Sequence, residues 1–464
     1  VEVIVMDKKH VVIIGGSAAG VAASRAAHRH PMVGEVTVIR KEARSLVPCG
    51  IPYIFGTLGS VDKDLMSDAM LGGSELILDE VISIDRKNKT VSTAGAKTIG
   101  YDKLLLCIGS RPVMPLMPGL EKQNVFAVWK DAEYLQKLVD ALKQAKSVVV
   151  IGGGFIGVEF ADECRKRGLE VTLVELLPHC LQLVCDDPLC LEAESALKKQ
   201  GVQVITGDSV RSIGGNVRVE YVELKSGKRV MADTVVVGIG AAPNIELAQK
   251  AGLEIGEKGG IRVDEYMRTS DPDIFAAGDC AEKYSFFNGK PIALRLASIA
   301  TREAKLAVMN LFGPEIKNIG TLGVFSTTIG DTALEVAGLT EREAHEAGFD
   351  FVVGEASAVD KHPGSMPNAR EVKVKLVFDR NSRKILGGQA CGGLTTGEIV
   401  NVIAALVAGG MTAEQVSTIQ VGTHPILTAS PIVYQIANAA DQALAKMHEF
   451  TQSIEENKIK IAVV

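Results

Sequence analysis

Apolar and polar positions along the 464-residue chain follow three regimes. Val11-Val12-Ile13-Ile14 is a short unbroken apolar run, the pattern of a strand buried on both faces. It enters the turn Gly15-Gly16-Ser17-Ala18-Ala19-Gly20, a small-residue helix through His28, and a second strand over 35–39. The same order recurs with Val148-Val149-Val150-Ile151, the turn Gly152-Gly153-Gly154-Phe155-Ile156-Gly157, a helix over 159–167 and a strand over 170–175. Residues 101–112 and 233–243 are two further apolar runs that end in glycine, and they read as crossings between the two units. Residues 274–277 form a strand returning to the first. From about residue 319 the pattern changes to short strands alternating with helices. Strict alternation over 371–378 predicts a half-exposed antiparallel strand, and helices are expected over 396–409 and 431–448. The first seven residues are strand-like, and the charged-then-apolar tail over 451–464 is expected to be loosely ordered. The expected class is α/β: two Rossmann-like dinucleotide-binding domains plus a C-terminal α+β domain.

The glycine turns give these units their chemistry. Gly15, Ser17 and Gly20 occupy the three positions of a dinucleotide fingerprint, with serine where the middle glycine would let backbone approach a pyrophosphate. Arg40 replaces the acid that would hold a ribose, and Glu42 is the nearest carboxylate. The second turn holds Gly152, Gly154 and Gly157 without substitution, and Glu175 ends the next strand at the expected distance. A carboxylate there repels a 2′-phosphate, which favours NADH over NADPH. Two dinucleotide folds imply two dinucleotides, a nicotinamide and a flavin, since the hydride must pass to something. Asp279 falls at the carboxyl end of the returning strand, where open α/β sheets bind ligands. The boundaries follow as 1–112 with 242–318 for FAD, 113–241 for NADH and 319–464 for the third domain.

Composition narrows the field. Net charge is −6 and the basic residues do not cluster, so nucleic acid is not an expected partner. The sequence contains no long uncharged apolar run, and no membrane span is expected. The chain begins with Val and shows no signal-peptide pattern at its start. Its eight cysteines include no C-x-x-C pair and read as reduced thiols in a cytoplasm. Cys180, Cys185 and Cys190 are spaced five apart, which is not a usual zinc pattern, and no metal site is expected.

The stretch Pro48-Cys49-Gly50-Ile51-Pro52-Tyr53 lies just past the first βαβ unit. It offers one thiol, and the position five residues on is Ile54, so no local dithiol is available. A helix beginning here with Pro52 in its first turn would place Cys49 at a positive dipole end and favour its thiolate.

These residues together resemble the pyridine nucleotide–disulfide oxidoreductases: Cys49 to Tyr53, the paired fingerprints, Ala277-Gly278-Asp279, and a third domain with Pro363-Gly364 and Gly387-Gly388-Gln389. The single cysteine resembles the branch of coenzyme A disulfide reductases, NADH oxidases and NADH-dependent persulfide reductases. The resemblance implies FAD, NADH, coenzyme A as substrate or mixed disulfide, and a homodimer or dimer of dimers joined through the third domain. It implies a route from NADH through FAD to Cys49, which rests as a coenzyme A mixed disulfide or a sulfenate. Glu159 matches the glutamate near flavin and nicotinamide, and His424 and His362 match regions that reach the partner's active site. Flavin-side contacts are implied for Gly15, Ser17, Ala18, Gly20, Arg40, Lys41, Pro48, Gly109, Asp279 and Ala297. Nicotinamide-side contacts are implied for Gly152, Gly154, Ile156, Gly157, Glu175 and Gly240. Arg25, Arg29 and Arg44 are candidates for coenzyme A phosphates. Ala18 stands where water-forming oxidases carry a histidine. Persulfide reductases of the branch often carry a C-terminal rhodanese domain; no C-x5-R loop follows residue 450, so the sulfur acceptor is expected to enter directly. Alternatives are an NADH oxidase, a rubredoxin or ferredoxin reductase, and a redox-state binding module.

Overall fold

The computed structural model describes residues 8–462, with side chains described through 450; the strand-like first seven residues lie outside it. The unbroken apolar runs become parallel strands, because only a strand covered on both faces removes every side chain of such a run from water. β1 (Lys9–Ile14), β2 (Val33–Arg40), β3 (Glu75–Leu78) and β4 (Lys103–Leu106) build the first sheet, with α1 (Ala18–Ala27) between β1 and β2. The chain then builds a second parallel sheet from β5 (Val125–Ala127), β6 (Ser147–Ile151), β7 (Glu170–Val174), β8 (Gln203–Ile205) and β9 (Thr234–Val237), with α2 (Phe155–Lys166) between β6 and β7. β10 (Ile274–Ala276) returns to the first sheet and pairs with β4 in parallel. The strand orders are β10-β4-β1-β2-β3 and β8-β7-β6-β9-β5. The two crossings run side by side: Ser110–Pro112 pairs antiparallel with Ala241–Pro243. The run over 101–112 is therefore two strands, broken after Leu106, where the backbone must leave the sheet to clear the first glycine turn.

After α3 (Ala297–Met309) comes the third domain, an antiparallel sheet of β11 (Val324–Ile329), β12 (Thr332–Gly338), β13 (Phe351–Val359), β14 (Glu371–Asp379) and β15 (Ile385–Gly392) in the order β11-β12-β15-β14-β13. α4 (Ile399–Ala408) and α5 (Gln435–Ala462) follow, and Ile403, Leu406, Ile436, Ala440 and Ala443 share a buried core with strand residues including Val374 and Leu376. β14 departs from the expectation. It alternates over its first half only, and Leu376 to Asp379 are all buried, because that half lies beneath covering elements on both faces. α5 carries on through 462, past the expected helix end at 448. No described helix is long and apolar enough to cross a membrane.

Candidate active site

Cys49 is the second residue of a 3-10 helix, Pro48–Phe55. Pro48, not Pro52, opens it, where a missing N–H costs nothing; Pro52 sits inside. The Gly50 N–H reaches Val47 O at 2.8 Å. Gly50 has no room for a side chain, since a Cβ would stand 1.8 Å from Oδ1 of Asp64. At the far end, the Thr57 N–H and hydroxyl donate to Glu163 at 2.6 and 3.0 Å. Glu163 lies on α2, which carries two more acids toward neighbouring elements. Glu159 accepts the Thr327 hydroxyl at 2.8 Å, and Asp162 accepts the Gly330 N–H at 3.2 Å. One helix of the second sheet thus ties the Cys49 helix to the β11–β12 hairpin of the third domain.

The electrostatics of the thiol run against the dipole expectation. Cys49 is open to solvent in the protomer, yet protein crowds its surroundings enough to desolvate a thiolate. That burial pushes the thiol up, and the carboxylates of Glu159, Asp279 and Asp64 add to it, while Lys130 opposes them. Glu159 is raised to about 7, chiefly by burial and against the Thr327 hydrogen bond. Burial lifts Asp64 to about 6; the residue is 3 % exposed and Oδ2 has no hydrogen-bond partner among the described residues. Burial also pushes up the Tyr53 phenol, against a hydrogen bond with Thr328. Although burial opposes it, Lys130, Ser110 and Lys283 hold Asp279 below the usual carboxylate range. Asp279 accepts from the Ser110 hydroxyl at 2.7 Å and from Lys130 Nζ at 2.9 Å.

The first glycine turn fits a flavin dinucleotide. Gly15 holds φ +110°, and a Cβ there would lie 2.1 Å from the Cys107 carbonyl oxygen. A Cβ on Gly20 would lie 1.9 Å from Gly15 O, so helix and strand touch through backbone. Ser17 caps α1 without using its side chain, and Ala18 and Ala19 begin the helix, leaving first-turn N–H groups for a pyrophosphate. Arg40, 4 % exposed, lies against Gly16 and is held by Asp68 at 2.7 Å and by Glu42 O at 2.8 Å. Lys41 is exposed, Gly109 holds φ +66° beside Ser110, and Ala297 opens α3.

The second turn fits a nicotinamide dinucleotide in the same way. Gly152 holds φ +105°, and a Cβ on Gly157 would lie 1.8 Å from Gly152 O. Gly154 caps α2 and Ile156 is exposed in its first turn. Glu175 accepts the Gly153 and Leu177 N–H groups at 2.5 and 2.6 Å, which holds a carboxylate against the turn. Gly240 holds φ +113° just past β9.

The other candidates are dispersed. The His362 and His424 loops meet each other: Nδ1 of His362 lies 3.1 Å from Thr428 O, and the Thr428 hydroxyl accepts the His424 N–H at 3.0 Å. Among the described residues no hydrogen bond or ion pair joins either histidine to Cys49. Arg25 and Arg29 line one groove; Arg44 does not, since it pairs with Asp62 and Glu133. The described residues hold no metal-ligating cluster, and Cys180, Cys185 and Cys190 are buried free thiols. No sequence motif marks Asp64, Lys130 or Thr327, and the pattern around Cys49 assigns Tyr53 no role.

A family model described as pyridine nucleotide-disulphide oxidoreductase matches residues 9–304, and the dimerisation domain of that family matches 324–431. The chain belongs to this family. It is 32% identical over 449 residues to an NADH oxidase of Methanocaldococcus jannaschii, covering 94% of this chain and 99% of the relative. It is 33% identical over 416 residues to an NAD(P)H coenzyme A polysulfide/persulfide reductase of Pyrococcus horikoshii, covering 88% and 93%. The structure of an NAD-dependent persulfide reductase from A. fulgidus superposes with a TM-score of 0.88 at 31% identity, covering 95% of this chain and 84% of that one. The chain is an NADH-dependent flavoprotein oxidoreductase with a dimerisation domain.

Proposed function

We propose that this enzyme reduces sulfur: electrons pass from NADH through FAD and Cys49 to a disulfide, persulfide or polysulfide presented as a coenzyme A derivative. The observation that carries this reading is a groove of about 1030 Å³ that begins at Ala18 in the flavin turn. Arg25, Arg29 and Lys305 line it with cations, and Val21, Met66 and Met70 line it with apolar surface. That pairing suits a phosphorylated nucleotide carrying a long neutral thiol arm. Cys49, with no dithiol partner, is the exposed sulfur such an arm would meet.

Held by the first domain, FAD would supply two-electron transfer between nicotinamide and sulfur. The chain's own residues do the rest. Asp279 would hold the ribityl hydroxyls, and Glu175 the ribose of NADH. The Cys49 thiolate attacks the outer sulfur of the bound persulfide, forming a disulfide bond to it and expelling the coenzyme A thiolate. Glu159, near neutrality in its acidity, is the group suited to hold a proton close to that sulfur. His362 and His424 sit on the dimerisation domain, and in a homodimer they serve the partner's Cys49. Residues 1–112 with 242–318, 113–241 and 319–464 are assigned as the flavin, nicotinamide and dimer units.

Oxygen reduction is the second reading, supported by the relative named NADH oxidase. Ala18 supports the sulfur reading, because a methyl group there offers no proton to a peroxide. The test is anaerobic NADH oxidation with coenzyme A persulfide, wild type beside Cys49→Ser, and an aerobic run without sulfur. Turnover with persulfide at least tenfold above that with oxygen, and absent in Cys49→Ser, is expected. Turnover that survives the substitution, or oxygen as the faster acceptor, would overturn the sulfur reading.

A further inference from the structure

Behind the turn that carries Asp279 lies an ion pair that the proposed chemistry leaves without a role. Lys283 and Glu303 are 3 % and 1 % exposed at their side chains, and their charged atoms are 2.8 Å apart. All three ammonium protons have acceptors: Gly278 O at 2.5 Å, Ala281 O at 2.9 Å and Glu303 Oε2. The same Glu303 oxygen accepts the Gly278 N–H at 3.0 Å. Both backbone polar groups of Gly278 are therefore taken by the pair, the N–H by Glu303 and the carbonyl by Lys283. Gly278 holds φ +80° and is wedged between α1 and α3: a Cβ would stand 3.1 Å from Ala19 Cβ and 3.2 Å from Ala300 Cβ. Asp279 is the next residue, so the orientation of this residue's peptide groups decides where its carboxylate points.

The pair is a costly way to brace a turn. Buried ion pairs are often no more stabilising than apolar side chains of the same volume. Here Glu303 Oε1 is buried with no hydrogen-bond partner among the described residues, so the carboxylate is hydrogen-bonded on one side only. Lys283 is also close enough to bear on Asp279 electrostatically.

We propose that Lys283 and Glu303 are positioning residues for the flavin, fixing the Gly278 peptide so that Asp279 meets the ribityl chain, and balancing charge behind the turn so as to set the flavin's reduction potential. This rests on the reading of Asp279 as the ribityl acceptor, and the test separates the two. In Glu303→Gln the shape is kept, but the lysine charge loses its counter-ion. A reduced, anionic flavin is then favoured.

The measurements are FAD release from the holoenzyme, read as free-flavin fluorescence, and the two-electron midpoint potential at pH 6. For Glu303→Gln we expect FAD release about tenfold faster. The reduction equilibrium should move about tenfold toward reduced flavin, a positive shift of about 30 mV. Lys283→Met/Glu303→Gln removes both charges: its potential should return to the wild-type value while FAD release stays fast, because the Gly278 carbonyl has lost the lysine ammonium and keeps only the Ala281 N–H at 3.0 Å. Asp279→Asn is the control for the underlying reading, and FAD retention unchanged in that variant would refute the ribityl assignment itself. If Asp279→Asn releases FAD but Glu303→Gln leaves the potential at the wild-type value, the pair is structural only and the proposal fails. Should Glu303→Gln not fold, the double variant decides: FAD release as slow as in wild type overturns the proposal.

Discussion

Thr327→Val tests whether the third domain sets the acidity of Glu159. The Thr327 hydroxyl donates to Oε1 of Glu159 at 2.8 Å, and Thr327 itself is 4 % exposed. Valine keeps the volume and removes the donor. A hydrogen bond to a charged group contributes about 1.5–3 kcal/mol, and about 1.4 kcal/mol is tenfold in proton affinity. The bond favours the ionised form, so its loss moves Glu159 upward, from about 7 to about 8 or above. At pH 7.5 the wild-type carboxyl is then mostly ionised and the variant's mostly protonated. Ionised Glu159 raises the Cys49 thiol, so protonation lowers it again. The assay is iodoacetamide labelling of Cys49 against pH, followed by mass spectrometry. Thr327→Val should label faster at pH 7.5, with its lower inflection displaced to higher pH by at least one unit. In Glu159→Gln that inflection should vanish, and adding Thr327→Val to it should change nothing. An unmoved inflection, slower labelling, or a Thr327→Val effect that persists without Glu159 would refute the reasoning.

Asp64→Asn removes a carboxylate that raises the Cys49 thiol, so labelling at pH 8 should quicken several-fold; below about pH 6 the two proteins should converge, since wild-type Asp64 is then protonated. Glu335 is 1 % exposed, and burial raises it to about 7. Its folded-state value stands above the ordinary 4.5, so its contribution is full below that pH and lost as pH rises through about 7. Glu335→Gln should abolish a stability loss of about 2 kcal/mol between pH 5.5 and 8.5, read as a narrower gap in Tm between those conditions. Arg25→Met with Arg29→Met should raise KM for coenzyme A persulfide about tenfold or more with kcat unchanged, and leave inorganic polysulfide unaffected; equal losses on both acceptors would remove the groove from the account.

The cofactor machinery was legible in the sequence because it depends on backbone. Gly15, Gly20, Gly152 and Gly157 occupy places where a Cβ would strike a neighbouring carbonyl or carbonyl carbon, so their spacing alone reports a strand, a turn and a helix in contact. Apolar runs such as Val148 to Ile151 declare a doubly covered strand for the same reason: the requirement is local and leaves its mark on consecutive residues. Glu175, about twenty residues beyond its turn, is fixed by the length of one helix and one strand.

The acidity of the active site was not legible, because it is a sum over residues that the fold gathers from distant segments. Sequence put Cys49 at a helix start and expected a thiolate. Only the tertiary structure brings Glu159 from α2, Asp279 from beyond the end of β10 and Asp64 from the 3-10 helix Val61–Asp64 around that sulfur, with Lys130 as an opposing cation. Thr327 reaches Glu159 across 168 positions, and Lys130 reaches Asp279 across 149. Periodicity and spacing describe what one stretch of chain does to itself. Desolvation and charge act through space, and where the packed elements set Glu159, Asp279, Asp64 and Lys130 is what decides how strongly Cys49 holds its proton.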